Sequence, residues 1–127
     1  MYPFENIYFQ VFGFILVIFG FVESMLGRKE LATNWTESYD YQIKRKHELV
    51  STGIYSYIRH PIYGGLWLTL TGSLIVSETY LFLPISLLAL FAFIRFAKRE
   101  EKILVKHFGK KYLEYQRKTK LLIPKIF

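Results

Sequence analysis

Two polar clusters in this chain carry residue types able to do chemistry. Arg59 and His60 precede Pro61 in the run IRHPIYGG (58–65), and Glu100 and Glu101 stand side by side further on. Proline suits the first position of a helix because it has no N–H to leave unpaired there. That puts His60 at the N-cap, beside the first free amides of the helix. A helix N-terminus flanked by arginine and histidine seats a carboxylate or a phosphate. Another reading is an interface anchor, with Arg59 snorkelling and Tyr55, Tyr57 and Tyr63 in an aromatic belt. The acidic pair lies among Arg95, Lys98, Arg99 and Lys102, and ordinary surface ion pairs account for many such clusters. A carboxylate near an interface also binds a cationic group such as an ammonium. The residues alone leave both alternatives open.

The elements that must position these groups are apolar. Of 127 residues, 52% are hydrophobic and 19% aromatic, which points to a bilayer. Residues 6–26 are apolar for about the length of a roughly 30 Å hydrocarbon core. Glu23, near the end of that run, is its only charge and, as an intramembrane carboxylate, a functional candidate. The first basic residue, Arg28, follows the run, so a retained helix rather than a cleaved signal is expected. Residues 27–59 form a polar, basic connection. The chain is apolar again from Pro61 to Ile94, interrupted by Glu78, and a break at Ser77-Glu78-Thr79 divides it into short spans over 61–77 and 79–96. Both must be helical to satisfy their backbone in lipid. Gly13, Gly20, Gly64, Gly65 and Gly72 let helices approach closely. From Ala97, charges alternate with Ile103, Leu104, Phe108, Tyr112 and Tyr115 at helical spacing, predicting an amphipathic helix that Gly109 interrupts and that ends before Pro124.

The expected architecture is therefore all-α and integral to the membrane: about three transmembrane helices followed by an amphipathic tail over 97–127, in a single domain. All 17 Lys and Arg lie at or after Arg28. Basic residues mark the cytoplasmic side, which places the 27–59 connection and the tail there. The net charge of +7 thus reads as a topology signal and a contact with membrane lipids, not as a nucleic-acid site. With no cysteine, thiolate metal sites are excluded, and His47, His60 and His107 lack zinc spacing, so no metal is expected. Phosphate-loop, dinucleotide-binding and serine-elbow motifs are absent.

The stretches HELVSTGIYSYIRHPIYGG (47–65) and REEKILVKHFGKKYLEYQRKTKLLIP (99–124) together resemble the isoprenylcysteine carboxyl methyltransferase and phospholipid methyltransferase families. The match follows H-x-L-V-x-x-G-x-Y-x-x-x-R-H-P-x-Y-x-G, then an apolar hairpin, then E-E-x-x-L-x-x-x-F-G-x-x-Y-x-x-Y; Asn34-Trp35 resembles the family's N-W element. The resemblance implies an integral-membrane enzyme using S-adenosylmethionine. It implies cofactor contacts from His47, Glu48, Leu49, Val50, Tyr55, His60, Pro61, Ile62 and Tyr63, with Glu100 on the amino group. His60 and the helix start suit a carboxylate, Glu100 an ammonium, and tyrosine faces a sulfonium.

Two departures stand out. The carboxyl methyltransferases carry an arginine four residues before the glutamate, linked to the substrate carboxylate; that position is Phe96 here, which leaves Arg95 or Arg99 to substitute. Arg95 and Glu100 are taken as the catalytic pair. Relatives also have more helices before the first motif, so a homo-oligomer completing the pocket is one arrangement to consider. The expected activity is methyl transfer to a lipophilic substrate in the bilayer, led by the carboxyl of an isoprenylcysteine-like acceptor. Phosphatidylethanolamine-type N-methylation is the alternative, and a non-catalytic small membrane protein the alternative of another class.

Overall fold

A computed structural model describes residues 6–33, 49–123 and 126–127. Within them the chain forms four α-helices: α1 (Ile7–Thr33), α2 (Pro61–Val76), α3 (Phe82–Phe108) and α4 (Lys110–Lys118), with a 3-10 turn over Gly53–Ser56. No named strand occurs among the described residues; one isolated parallel bridge joins Ile58 to Lys120.

Helix α1 is long and apolar enough to cross a bilayer over Ile7–Leu31, whereas α2 is apolar but has only 16 residues. At about 1.5 Å per residue α2 measures roughly 24 Å, shorter than a typical hydrocarbon core. Much of α1 faces outward with bare aromatic and aliphatic side chains, among them Phe12, Phe14, Ile15, Phe19 and Phe21. Its inner face packs on α2 through glycine. A Cβ at Gly20 would sit 2.5 Å from the Gly65 carbonyl oxygen, and one at Gly13 would sit 2.9 Å from the Gly72 carbonyl oxygen. Lipid tails are as apolar as side chains, so this association rests on close backbone packing and interhelical hydrogen bonds. Ser24 donates to the Ile62 carbonyl at 3.2 Å. Between α2 and α3, Trp67 donates to the Ser86 carbonyl at 2.9 Å, and the Thr71 and Ser86 hydroxyls lie 2.7 Å apart.

The α2–α3 turn falls where Glu78 interrupts the apolar text. Glu78 takes a left-handed backbone (φ 55) and accepts a hydrogen bond from Gln10 at 2.6 Å, tying the start of α1 to this turn. At the other end, α3 runs without a break from the apolar stretch through the charged segment 97–108. This corrects the expectation of a separate amphipathic helix beginning at Ala97. The residues after Arg95 are strong helix formers, and a change of surface polarity does not interrupt the backbone hydrogen-bond ladder. Gly109, at φ 61, ends α3 and starts α4.

After α4 the chain returns as a strap. Lys120 donates to the Tyr57 carbonyl at 2.9 Å, Arg59 to the Lys120 carbonyl at 2.8 Å, and His60 to the Leu121 carbonyl at 2.9 Å. Leu121 and Leu122 bury themselves with Ala97, against Tyr63, Leu90 and Ile94. The strap therefore wedges between α2 and α3 and fixes the spacing of the residues at their facing ends.

Candidate active site at the start of the second helix

Pro61 is the first residue of α2 and His60 its N-cap. The strap holds the His60 backbone N–H, so the imidazole enters the gap between α2 and α3 from a fixed base. Its side chain is almost fully enclosed. Nδ1 lies 3.6 Å from Glu100 Oε2, and Nε2 lies 3.3 Å from Glu101 Oε1. Tyr63, one turn along α2, donates its hydroxyl to Glu100 Oε1. Its ring stacks between His60 (centroids 5.8 Å apart) and Phe93 (5.7 Å). Tyr63 thus orients the Glu100 carboxylate, and both of its faces have aromatic neighbours.

The two carboxylates are neighbours in sequence and opposites in role. Glu101 accepts from Arg59 Nε at 2.9 Å and from the Gln116 side chain. Arg59 also donates through Nη1 to the carbonyls of Gln116 (3.1 Å) and Thr119 (2.7 Å). Arg59 therefore clamps the end of α4 to α3 rather than anchoring at the interface. Burial alone would raise the Glu101 pKa, but the His60 imidazole and the Arg59 guanidinium outweigh it and hold it below the usual carboxylate value. Glu100 goes the other way: burial dominates and lifts its pKa despite the Tyr63 hydrogen bond and the nearby His60. Gly64 must be glycine, because a Cβ there would run into the Leu122 carbonyl and lie 3.1 Å from Glu23 Oε1.

The other expected site residues divide. Leu49 packs with Leu104, Tyr112 and Tyr115, while Val50 and Tyr55 form a cluster with Leu31 that Ile62 covers. Pro61 is buried under Gly27 of α1. These side chains are core, and the Tyr55 carbonyl accepts from the Tyr115 hydroxyl at 2.5 Å. Burial raises the Tyr55 and Tyr112 phenols above their ordinary pKa, so both stay neutral. His47, Glu48, Asn34, Trp35 and Pro124 lie outside the described residues. Arg95 is not brought to the cluster. It leaves α3 about 140° around the helix from Glu100, and its guanidinium lies 6.0 Å from the Phe91 ring on the outer face. Sequence reasoning missed the Arg59–Glu101–Gln116 network; the paired acids were its one local sign.

Two buried atoms in this cluster, His60 Nε2 and Glu100 Oε2, have no aligned hydrogen-bond partner among the described residues. Leaving such groups unmade is costly, and they are the atoms a ligand would satisfy. An imidazole and a carboxylate within 3.6 Å of each other fit the adjacent carboxylate and ammonium of an α-amino acid. The amino-acid end of S-adenosylmethionine is such a group, so the residues present fit that cofactor.

Comparison with known proteins places this geometry. Residues 8–111 match the sequence profile described as phospholipid methyltransferase. A protein-S-isoprenylcysteine O-methyltransferase of Xenopus laevis is 32% identical over 118 residues, covering 91% of this chain and 40% of that protein. The Saccharomyces cerevisiae enzyme of the same name is 32% identical over 115 residues, covering 90% of this chain and 48% of that protein. The chain thus spans less than half the length of these curated relatives. A solved structure of the eukaryotic intramembrane Ras methyltransferase (isoprenylcysteine carboxyl methyltransferase) superposes with a TM-score of 0.74 at 27% identity, over 94% of this chain and 43% of that one. The fold is that of an integral-membrane methyltransferase, and with most of its length inside the matching profile, this chain belongs to the phospholipid methyltransferase family.

Proposed function

We propose that the chain is an integral-membrane, S-adenosylmethionine-dependent methyltransferase acting on a lipophilic acceptor, by carboxyl O-methylation of an isoprenylcysteine-like group. The observation that carries this reading is the His60–Glu100 pair, Nδ1 to Oε2 at 3.6 Å, where the start of α2 meets α3, with His60 Nε2 and Glu100 Oε2 left without an aligned hydrogen-bond partner among the described residues. The names of the relatives support the acceptor class. Three crossings by α1, α2 and the first part of α3, with the connection from α1 to α2 and the tail on the cytoplasmic side, account for the placement of the basic residues.

When bound, the cofactor supplies a methyl group on a sulfonium, already activated for displacement. Glu100 holds the ammonium and His60 the carboxylate of its amino-acid end, and Tyr63 fixes the Glu100 carboxylate. By the family resemblance, residues 47–50 contribute contacts to the cofactor. An acceptor carboxylate is itself the nucleophile and needs no base, so the residues mainly orient the partners and exclude water. Arg95, on the outer face of α3, has no part in this arrangement.

The experiment offers the lipid-reconstituted protein S-adenosylmethionine labelled in its methyl group, with either a farnesylcysteine analogue or phosphatidylethanolamine. The expected result is label in the farnesylcysteine that is released as methanol by base. Base-stable label in phosphatidylethanolamine would overturn the carboxyl acceptor in favour of N-methylation.

A further inference from the structure

We propose that the outer face of α3, opposite the active site, is a binding site for the headgroup of an anionic phospholipid. Arg95, Lys98, Arg99 and Lys102 line a cleft of about 690 Å³ together with Phe91 and Phe96, and among the described residues no Asp or Glu borders it. Positions 91, 95, 98 and 102 recur at three- and four-residue steps, so they form one stripe along the helix. The acids of this helix point elsewhere: Tyr63 and His60 engage Glu100, and Arg59 engages Glu101. Lys98 and Lys102 also border the smaller hollow beside Glu101, yet the cleft itself stays cationic.

The charge sits at one height. Toward the start of α3 the exposed side chains are apolar, including Leu83, Leu87, Leu88 and Phe91. A cationic cleft directly above an apolar wall matches a phosphodiester with its acyl chains lying along the helix. Guanidinium groups suit the phosphate because two parallel N–H donors meet two oxygens. The acceptor carboxylate does not fit here, since the stripe faces away from His60 and Glu100. The inference rests on α3 leaving the bilayer near Arg95, which is part of the reading above, but it does not depend on methyl transfer.

The test reconstitutes the full chain in nanodiscs of phosphatidylcholine containing a minor fraction of phosphatidylglycerol and measures retained lipid by native mass spectrometry. Phosphatidylglycerol is expected to be retained selectively. Arg95→Gln/Arg99→Gln lowers its retention about tenfold or more, Lys98→Gln lowers it less, and the α4 pair Lys110→Gln/Lys111→Gln leaves it within about twofold. Equal retention of both lipids, or equal loss in both double variants, would overturn the site. Displacement of the lipid by inorganic phosphate would make it a site for free phosphate, and a second copy of the chain covering the cleft would make it an interface; either result also overturns the proposal. Cofactor binding is measured on the same samples. Selective lipid retention without cofactor binding counts against the enzyme reading and leaves the lipid site standing.

Discussion

Arg59→Ala is expected to destabilise the protein by about 3 kcal/mol, because it leaves a buried carboxylate without its partner. The Arg59 and Glu101 side chains are only 13% and 9% exposed, and their contact is 2.9 Å. The same guanidinium satisfies the carbonyls of Gln116 and Thr119 at the end of α4. Removing it therefore takes the guanidinium counter-charge from a buried acid and frees the strap that positions His60. Glu101→Gln should cost less, since the amide oxygen still accepts from Arg59. Replacing both partners by Met and Leu should recover part of the loss, because buried ion pairs are dearer to break than to replace with apolar groups. The Glu101 pKa is depressed in the folded protein, so its contribution is present above the unfolded-state value and disappears only as pH falls through the depressed one. Equilibrium unfolding of the detergent-solubilised variants measures all three. A stable Arg59→Ala variant would show that the strap is held by other contacts.

The second large effect is on ligand affinity. Glu100→Gln should weaken S-adenosylmethionine binding by about 10- to 100-fold, the range of a lost charge-assisted hydrogen bond of about 1.5–3 kcal/mol, while leaving the fold intact. Burial raises the Glu100 pKa, and only the ionised form holds an ammonium. Wild-type affinity is therefore expected to fall on acidification at a higher pH than an ordinary carboxylate would produce, with His60 and Glu101 as the neighbours that modulate it. In Glu100→Gln that acid limb should flatten. Calorimetric titration across pH reads both effects; an unchanged acid limb in the variant would assign the dependence to another group.

Local chemistry made part of this molecule legible. Pro61 after His60 marked the start of α2, the lone Glu78 marked the turn before α3, and Gly109 marked the end of α3, because each is a backbone or solvation event confined to a few residues. What pairs at long range was not legible. Arg59 meets Glu101 and Thr119 across 42 and 60 residues, and no periodicity announces such a contact. Glu100 and Glu101 look equivalent in sequence, yet consecutive helical positions diverge by about 100°. That turn gives one carboxylate to Tyr63 and the other to Arg59. The same geometry removes Arg95 from the site: adjacency to Phe96 in sequence does not carry its side chain to the same face. Tyr55, Val50 and Ile62 belong to the motif text around the site, and their side chains pack together with Leu31, a placement that a motif alone does not announce.

His60 and Glu100 together are expected to form the seat of a zwitterionic cofactor. The direct measurement is equilibrium binding of S-adenosylmethionine to the wild-type protein in lipid nanodiscs, with His60→Ala beside it. The expected result is saturable binding by the wild type, weakened about tenfold or more in the variant. Failure of the wild type to bind across several lipid compositions, or full affinity in His60→Ala, would contradict it.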